Sequence, residues 1–356
     1  MEFGIMCPGD VNLVSRAVQA EQLGYSQAWF GDSPMMYSEV LVTMALTARA
    51  TTKMKVGSGV MIAGLRLPHV AAAGLASINR IAPGRVQVAF GSGNTAYRDL
   101  GLVKPVKLDA LRKYIQTVRS LLSNEEAWFE YNEHRNPIKW LMPEWNMINV
   151  EDRIPIYLGA TGPKTQQTAG ELTDGLFDGW GSMAMLPAVK ENLRKGAERA
   201  GKNADDLALW GPSNIIMLEP GEDLTSDRVI DEAGISVAIV IHSLYQQFAD
   251  STSEEVPPFL APFWDEYRAL MKQWKDPQRF HYRANAGHGV FIHPDERKFI
   301  TPALIDMLCV VGRAEELVER IRSWEADGVT NVNLYTNQTT GDRRMHKFAE
   351  QVIAKY

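Results

Sequence analysis

The segment RIPIYLGATGPKTQQTAGELTDGLFDGWGS, residues 153–182, decides the fold class because two strand patterns in it flank one helix pattern. Residues 154–158 form a short apolar run of the length expected for a strand buried on both faces. After a loop with two glycines, Pro163 begins a helical pattern that ends at Glu171. Proline suits the first helical position because its missing N–H would have no partner there. A second apolar run follows from residue 176, so the segment predicts a β–α–β unit.

The glycine-rich exits of these two strands are candidate anion-binding loops. Where a strand, a glycine loop and a helix start follow one another, free N–H groups and the positive end of the helix dipole point to one place. Two ordinary βα turns would contain similar glycines, so the pattern alone leaves both interpretations open. The candidate residues for binding a cofactor's tail are Gly159, Ala160, Thr161, Gly162, Pro163, Lys164, Gly181 and Ser182.

Composition places the chain among ordinary globular proteins. Of its 356 residues, 45% are hydrophobic and 22% are charged, which is typical of a protein with a large core. The net charge of -6 argues against a general nucleic-acid surface. Two cysteines, Cys7 and Cys309, make no disulfide framework, and a reducing cytoplasm is the expected location. No signal-peptide pattern and no run near 18 apolar residues occur, so we expect neither secretion nor membrane spanning.

Strand and helix patterns alternate along the whole chain. Such repeated units imply a parallel sheet, and eight of them favour a closed (β/α)₈ barrel of the TIM type over an open sheet. We expect a single barrel domain over residues 1–356, with excursions of different texture at about 124–150 and 246–300. The predicted strands cover 3–6, 27–30, 55–60, 85–90, 154–158, a run beginning at 176, 208–218 and 329–335.

The barrel hypothesis selects candidate site residues, because the chemistry of such barrels lies at the carboxyl ends of the strands. Asp32 follows the second strand, and it is either an acid/base group or a turn residue. The other selected positions are residues 58–61, which include Gly59 and Val60, then Ser92, Gly93 and Asn94, and residues 159–164 and 179–182.

The third strand and the loop after it carry a family resemblance. Residues 57–68 read GSGVMIAGLRLP. This segment resembles the third strand of the bacterial-luciferase-like flavin and deazaflavin oxidoreductases, and most of all their coenzyme F420-dependent members of the methylenetetrahydromethanopterin reductase type. Further segments similar to that family are residues 81–86, 156–164 and 169–175, and residue 312 with residues 315–328.

The resemblance implies a ring bound at the barrel mouth. In the family, a Gly-Val step matching Gly59-Val60 lies in a bulge with a non-prolyl cis peptide behind the ring. Asp32 would then lie near the reactive edge of the ring, and the glycine loops would bind the tail phosphate. The implied activity is hydride transfer between C5 of coenzyme F420 and a C=N, C=C or carbonyl group of a small molecule. A homodimer through the helices after strands two and three is also implied.

Two alternatives remain beside this interpretation. The same fold supports an FMN-dependent monooxygenase, which uses O₂ and takes reduced flavin from a partner reductase. A non-catalytic relative that only binds flavin or F420 is the alternative of another class. Tight binding of F420 without binding of FMN would separate the first two, and turnover of any acceptor would exclude the third.

The proton donor is the least determined part of the site. Several F420 reductases carry histidine after the second-strand Asp, where this chain has Ser33. His288, flanked by two glycines in the second excursion, is the candidate replacement, because histidine titrates near neutral pH. An exposed loop histidine would have the same sequence signature. No carboxylate–histidine motif with helical spacing occurs, so we predict no metal site.

Overall fold

The computed structural model describes residues 1–93, 97, 106–177, 183–273 and 279–356. Its strands within these ranges are β1 (Glu2–Cys7), β2 (Gln27–Phe30), β3 (Lys55–Ile62), β4 (Val86–Gly91), β5 (Ala127–Tyr131), β6 (His134–Ile138), β7 (Ile156–Gly159), β8 (Gly175–Phe177), β9 (Ala208–Leu209), β10 (Ile215–Met217), β11 (Val310–Gly312) and β12 (Asn331–Tyr335). Eight of them form one parallel sheet in the order β12-β1-β2-β3-β4-β7-β8-β9.

The two ends of this sheet meet. An isolated parallel bridge joins Trp210, which follows β9, to Asn331 at the start of β12. The N–H of Gly211 also donates to the carbonyl oxygen of Asn331 at 2.8 Å. The sheet is therefore a nearly closed ring, and the predicted (β/α)₈ barrel is confirmed.

Helices alternate with the barrel strands. Those described are α1 (Val14–Gln22), α2 (Val40–Ala50), α3 (Pro68–Ile81), α4 (Leu108–Leu122), α5 (Pro163–Leu172), α6 (Leu186–Arg199), α7 (Asp227–Phe248), α8 (Trp264–Lys272), α9 (Phe280–Asn285), α10 (Pro302–Leu308), α11 (Ala314–Ala326) and α12 (Gly341–Gln351). Proline begins α3, α5 and α10, where a missing N–H is harmless. The unit β7–α5–β8 reproduces the β–α–β prediction for residues 153–182. None of the described helices is long and apolar enough to cross a membrane.

Aromatic side chains fill the inside of the barrel. Trp29, Phe177 and Trp210 are almost fully buried, and the ring centroid of Trp29 lies 4.4 Å from that of Phe177 and 5.5 Å from that of Trp210. Towards the amino ends of the strands, Gln27 binds both the indole N–H of Trp29 and the side chain of Gln87. The interior is therefore a packed core, as in other barrels of this type.

Two parts of the chain lie outside the ring. The first is the antiparallel hairpin β5–β6, which falls within the predicted excursion at 124–150. The second is a helical segment, residues 216–305, with an apolar cluster of its own. The predicted strand 208–218 is wrong, because β9 ends at Leu209 and β10 pairs with β11 outside the ring. Gly211 and Pro212 separate the two strands, and proline cannot donate to a strand ladder.

Candidate active site

A cavity of about 660 Å³, here called the rim cavity, lies at the carboxyl ends of the barrel strands. Residues at or directly after the ends of β1, β2, β3, β4, β7, β8 and β12 line it, together with residues of α7 and residues 288–289. A cavity of about 920 Å³ lies along α6, beside Leu207 and Thr330, which precede β9 and β12. Because barrels of this type carry their chemistry at the carboxyl end, the rim cavity is the candidate active site.

Strand β3 is irregular where it borders the rim cavity. The peptide bond between Gly59 and Val60 is cis, and the register with β4 shifts between Gly59 and Met61. The side chain of Val60 lies between two glycines of neighbouring strand ends. A β-carbon built on Gly91 would lie 2.6 Å from its Cγ2, and one built on Gly159 would lie 2.7 Å from its Cγ1. The bulge and the cis bond that the family resemblance implies are thus both present, and Gly59 and Val60 line the cavity.

Asp32 forms part of the cavity wall directly after β2. Its side chain is 2% exposed. Oδ2 accepts hydrogen bonds from the N–H of Ile62 at 3.0 Å and from Nη1 of Arg66 at 2.6 Å, and Oδ1 accepts one from Nη2 of Arg66 at 3.0 Å. Donors therefore occupy both oxygens of this buried carboxylate, which fixes its position.

Arg66 joins Asp32 to a second carboxylate. Its Nε donates to Oε1 of Glu39 at 3.1 Å. Burial alone lowers the pKa of Arg66, but hydrogen bonds and charge from Asp32 and Glu39 outweigh burial and raise it. The sequence left Arg66, within the resembling segment, as either a ligand contact or a surface ion pair, and the structure makes it the group that holds Asp32.

The loop after β7 divides into lining and non-lining residues. Gly159, Ala160 and Thr161 line the rim cavity, as does Thr165 in the first turn of α5, which sequence analysis missed. Three predicted tail-binding residues do not line it: Gly162 is the N-cap of α5, and Pro163 and Lys164 are exposed in its first turn. The amide of Gln166 contacts the carbonyl oxygens of Ala160 and Thr161 at 3.5 and 3.2 Å, which holds the loop to the helix.

Two further predicted positions line the cavity, and three cannot be placed. Ser92 and Gly93, after β4, border the rim cavity as expected. Asn94, Gly181 and Ser182 lie outside the described residues. Their assignment to cofactor binding stays a prediction.

Residues 285–296, here called the rim loop, cover one side of the cavity, and two tyrosines hold it to the barrel. The hydroxyl of Tyr37 donates to the carbonyl oxygen of His288 at 2.7 Å, and that of Tyr335 donates to the carbonyl oxygen of Gly289 at 2.5 Å. Gly289 has a φ of +72°, and a β-carbon on it would lie 2.5 Å from the hydroxyl oxygen of Tyr37. His288 lines the cavity, so the structure places this predicted residue at the site.

The far end of the rim loop is fixed by a buried polar group. Oε1 of Glu296 lies 2.7 Å from Nε2 of His242 and accepts a hydrogen bond from the hydroxyl of Tyr267 at 3.0 Å. Burial alone raises the pKa of Glu296, but the hydrogen bonds and charge of His242, with the bond from Tyr267, lower it overall. This group ties the loop to α7 and α8.

One face of α7 completes the cavity, and sequence analysis missed it. Ile239, Ser243 and Gln247 line the cavity at intervals of four residues, which places them along one side of the helix. The spacing of these three residues along α7 is visible in the sequence, but any amphipathic helix shows the same spacing, so it does not indicate a ligand site. Tyr37 and Tyr335 were missed as well, because the loop they bind is distant in sequence.

No metal centre is found in the described parts of the chain, where no group of three or more His, Cys, Asp or Glu side chains could hold an ion. Cys7 lines the cavity, and burial raises the pKa of its thiol. That thiol is therefore neutral near pH 7.

The chain is similar in sequence and in fold to known proteins. The family model described as luciferase-like monooxygenase matches residues 1–331. The 5,10-methylenetetrahydromethanopterin reductase of Archaeoglobus fulgidus is 25% identical over 346 residues, which are 93% of this chain and 92% of the relative. The F420-dependent glucose-6-phosphate dehydrogenase of Amycolatopsis mediterranei is 25% identical over 336 residues, covering 84% and 94%. The solved structure of the coenzyme F420-dependent tetrahydromethanopterin reductase from Methanopyrus kandleri superposes with a TM-score of 0.68 at 19% identity, covering 100% of this chain and 99% of that one.

Proposed function

The chain belongs to the luciferase-like monooxygenase family, and from this premise we propose that it is an F420-dependent oxidoreductase acting on a small organic molecule. The relatives that span most of the chain are named as F420-dependent or methylenetetrahydromethanopterin-reducing enzymes, which supports the predicted activity. Their names describe different substrates, so they support the reaction class and leave the acceptor open.

The observation that carries the proposal is the cradle around Val60. A β-carbon on Gly91 or Gly159 would lie within 3 Å of Val60, and one on Gly59 would lie 2.5 Å from Phe177, so backbone and Val60 form this part of the wall. Three adjacent positions without a β-carbon leave a surface on which a flat ring can lie close to the strands. The volume of about 660 Å³ lies within the usual range of about 300–1,000 Å³ for small-molecule sites. The residues present therefore fit a flavin-sized group.

The chain's own residues have separate tasks in this proposal. Gly59 and Val60 support the ring, Ser92 and Gly93 border it, and residues 159–161 approach the tail. The deazaflavin supplies the hydride chemistry. Asp32 is held by Arg66 and Ile62, which fix its carboxyl group in the cavity wall. His288 is the proposed proton-transfer residue, because it is one of the residues that line the cavity and histidine as a residue type exchanges protons near neutral pH.

Cofactor titration tests the proposal directly. Oxidised F420 and FMN are each titrated into the purified protein, and binding is followed by fluorescence. We expect F420 to bind and FMN to bind at least about a hundredfold more weakly, a difference of about 2.7 kcal/mol. Binding of FMN without F420 would contradict the proposal.

An FMN-dependent monooxygenase is the second candidate, and the description of the family model favours it. In that case FMN would bind, and oxygen-dependent turnover would require reduced flavin from a partner reductase. Consumption of O₂ in step with acceptor oxidation is the measurement that would establish this candidate.

We also propose a homodimer through α2 and α3. Val42, Leu46 and Val70 are large exposed apolar side chains on these helices, and such patches mark interaction surfaces. The small residues 71–74 of α3, which the sequence suggests for close approach in a dimer, pack largely within the protomer: Ala71 and Ala72 are buried, and Gly74 lies against Leu41. Sedimentation equilibrium should give a dimer that Val70→Asp weakens. A monomeric wild-type chain at micromolar concentration would contradict this.

A further inference from the structure

We propose that the acceptor is an uncharged carbonyl or hydroxyl compound and that Ser243 and Gln247 of α7 bind its polar group. The inference rests on the proposed function, since it concerns the molecule that binds beside the cofactor in the rim cavity. The inference applies to the part of the acceptor that lies inside the rim cavity, against residues that the structure describes.

The cavity has two walls of different origin. Gly59, Val60 and Gly159 belong to the barrel strands and form the wall assigned above to the ring. Ile239, Ser243 and Gln247 come from the helical segment and line the same cavity. Because the barrel wall is taken by the cofactor and His288 of the rim loop is assigned to proton transfer, the α7 wall is the remaining surface of the helical segment that can bind the acceptor.

The α7 wall is exposed to the cavity while the rest of the helix is packed. Val237, Ile241 and Tyr245 are buried in the apolar cluster of the helical segment. Ser243 and Ile239 are half-buried, and Gln247 is exposed. The helix that carries the wall is therefore held in place by its own core.

The charges around the cavity disfavour a second anion beside the cofactor, whose anionic tail is assigned above to the loop of residues 159–161. No lysine or arginine occurs among the described residues that line it, and Asp32 is its one carboxylate. Asp32 and Glu39 share the single guanidinium of Arg66, so this group carries a net negative charge. An enclosed anion would lose its hydration, find no cation in these parts of the chain, and be repelled by the nearby carboxylates.

Basic side chains of the helical segment are engaged elsewhere. Nη2 of Arg283 donates to both oxygens of Asp295 at 2.8 Å. Arg297 donates to Asp231 at 3.0 Å and to Asp227 at 2.8 Å. Recruiting either for an anionic acceptor would break an existing ion pair.

The polar groups of the α7 wall match a neutral acceptor. A serine hydroxyl and a glutamine amide each donate and accept hydrogen bonds, so together they bind a carbonyl or a hydroxyl group. Ile239 adds apolar contact at the same face. Leaving such groups unpaired costs binding free energy, which gives selectivity for acceptors that bear the polar group.

Matched pairs of acceptors test the charge preference. Cyclohexanone is compared with 4-oxocyclohexanecarboxylate, and 2-butanone with 2-oxobutanoate, using the full-length protein and reduced F420 at about pH 8, where imidazole is ordinarily neutral. The readouts are kcat/KM and, independently, the acceptor Kd from the fluorescence of bound oxidised F420. We expect the neutral member of each pair to be favoured at least about tenfold in either readout, equivalent to about 1.4 kcal/mol. Equal or better use of the anionic members, or no interaction with either neutral member, would overturn the proposal.

Charge placed on the α7 wall gives a second test. We expect Gln247→Lys to shift the anionic-to-neutral ratio towards the anion by about tenfold, because it adds the missing cation. Gln351→Lys is the matched control: Gln351 is exposed at the end of α12, away from the cavity, and the same substitution there should leave the ratio unchanged. An unchanged ratio in Gln247→Lys would show that this wall does not contact the acceptor and would overturn the proposal.

The two levels of the hypothesis fail in different ways. Failure of F420 to bind contradicts the proposed function itself. Tight F420 binding together with a preference for anionic acceptors contradicts only the inference about the acceptor.

Discussion

Cγ1 of Val60 lies 2.7 Å from the place that a β-carbon on Gly159 would occupy. Val60 is on β3 and Gly159 ends β7, so the bulged strand is accommodated by the absence of a side chain two strands away. Gly91, on β4 between β3 and β7, also leaves space for the side chain of Val60. The shape of the ring wall therefore depends on the size of residues that need not contact the ring.

Gly159→Ala should displace Val60 into the cavity and weaken cofactor binding. Because the neighbouring strands are packed, the added methyl group has to move Val60 or strain the wall, at a cost of about 1–3 kcal/mol. We expect the Kd of F420 to rise at least about tenfold, measured by fluorescence titration. Gly162→Ala is the control, because a β-carbon on Gly162 meets nothing within 4 Å: alanine is a poorer N-cap for α5 and should cost about 1 kcal/mol of stability, but the Kd of F420 should stay unchanged. Wild-type affinity in Gly159→Ala would contradict this account of the wall.

Arg66→Met should destabilise the fold strongly. It leaves the buried carboxylate of Asp32 with the N–H of Ile62 as its one remaining donor among the bonds described above. Removing one partner of a buried ion pair typically costs about 3–5 kcal/mol in the free energy of unfolding. Urea unfolding measures this loss.

The control for that substitution is Arg194→Met. Arg194 pairs with Glu191 and Glu198 on the exposed face of α6, where water screens the ion pairs. It should unfold at the same urea concentration as the wild type. Equal effects of the two substitutions would mean that Asp32 does not need Arg66.

His288→Gln should lower turnover while cofactor binding persists. His288 lines the cavity, and its removal takes away the proposed proton-transfer group, a loss of about 10²–10⁴-fold in kcat. The backbone carbonyl that accepts the hydrogen bond of Tyr37 is retained, so the rim loop should stay in place. Stopped-flow oxidation of reduced F420 gives the rate. Unchanged turnover would remove His288 from the mechanism.

Local patterns predicted the parts of the fold whose determinants are close in sequence. The unit β7–α5–β8 follows from apolar runs, two glycines and Pro163 within thirty residues. The single strand expected at 208–218 was wrong because apolar residues flank Gly211-Pro212, and the missing proline N–H ends the ladder. The hydrophobic pattern of the sequence therefore predicted which helices and strands occur better than it predicted the residues at which they end.

The candidate site was predictable only in part, for a similar reason. Asp32, Val60 and Gly159 lie at or near the carboxyl ends of their strands. A barrel brings such ends to one rim regardless of the sequence that connects the strands. The contact of Tyr37 with His288 joins residues 251 positions apart, and nothing in either local sequence indicates the other. The α7 wall was missed because the residues that face the cavity have the same spacing as residues that face a core.

Gly289→Ala should loosen the rim loop. Gly289 has a φ of +72°, and its β-carbon would lie 2.5 Å from the hydroxyl oxygen of Tyr37 and 2.7 Å from that of Tyr335. The substitution therefore combines backbone strain with loss of two hydrogen bonds, each of about 1 kcal/mol. We expect a higher KM for the acceptor and faster amide exchange in residues 285–290, measured by mass spectrometry.

Gly201→Ala separates backbone strain from the clash. Gly201 has a φ of +66°, and a β-carbon on it meets nothing within 4 Å. It should cost only the strain of about 1–2 kcal/mol and leave the KM unchanged. If both substitutions lower stability equally and neither alters exchange in the rim loop, the two tyrosines do not hold that loop.

Acid should destabilise the protein through His293 of the rim loop. Burial, and then the charge of Arg283, lower the pKa of His293, while its bond to Ala286 and the charges of Glu296 and Asp295 act in the opposite direction. The unfolded chain therefore binds a proton near pH 6.5 that the folded chain binds only at lower pH, so stability falls as the pH drops below about 6.5 and through the folded pKa. His293→Asn should flatten the unfolding temperature between about pH 7 and pH 5, since the titrating group is gone. His346→Asn, at an exposed position of α12, should leave the wild-type slope, and an identical slope in all three proteins would rule out His293 as its source.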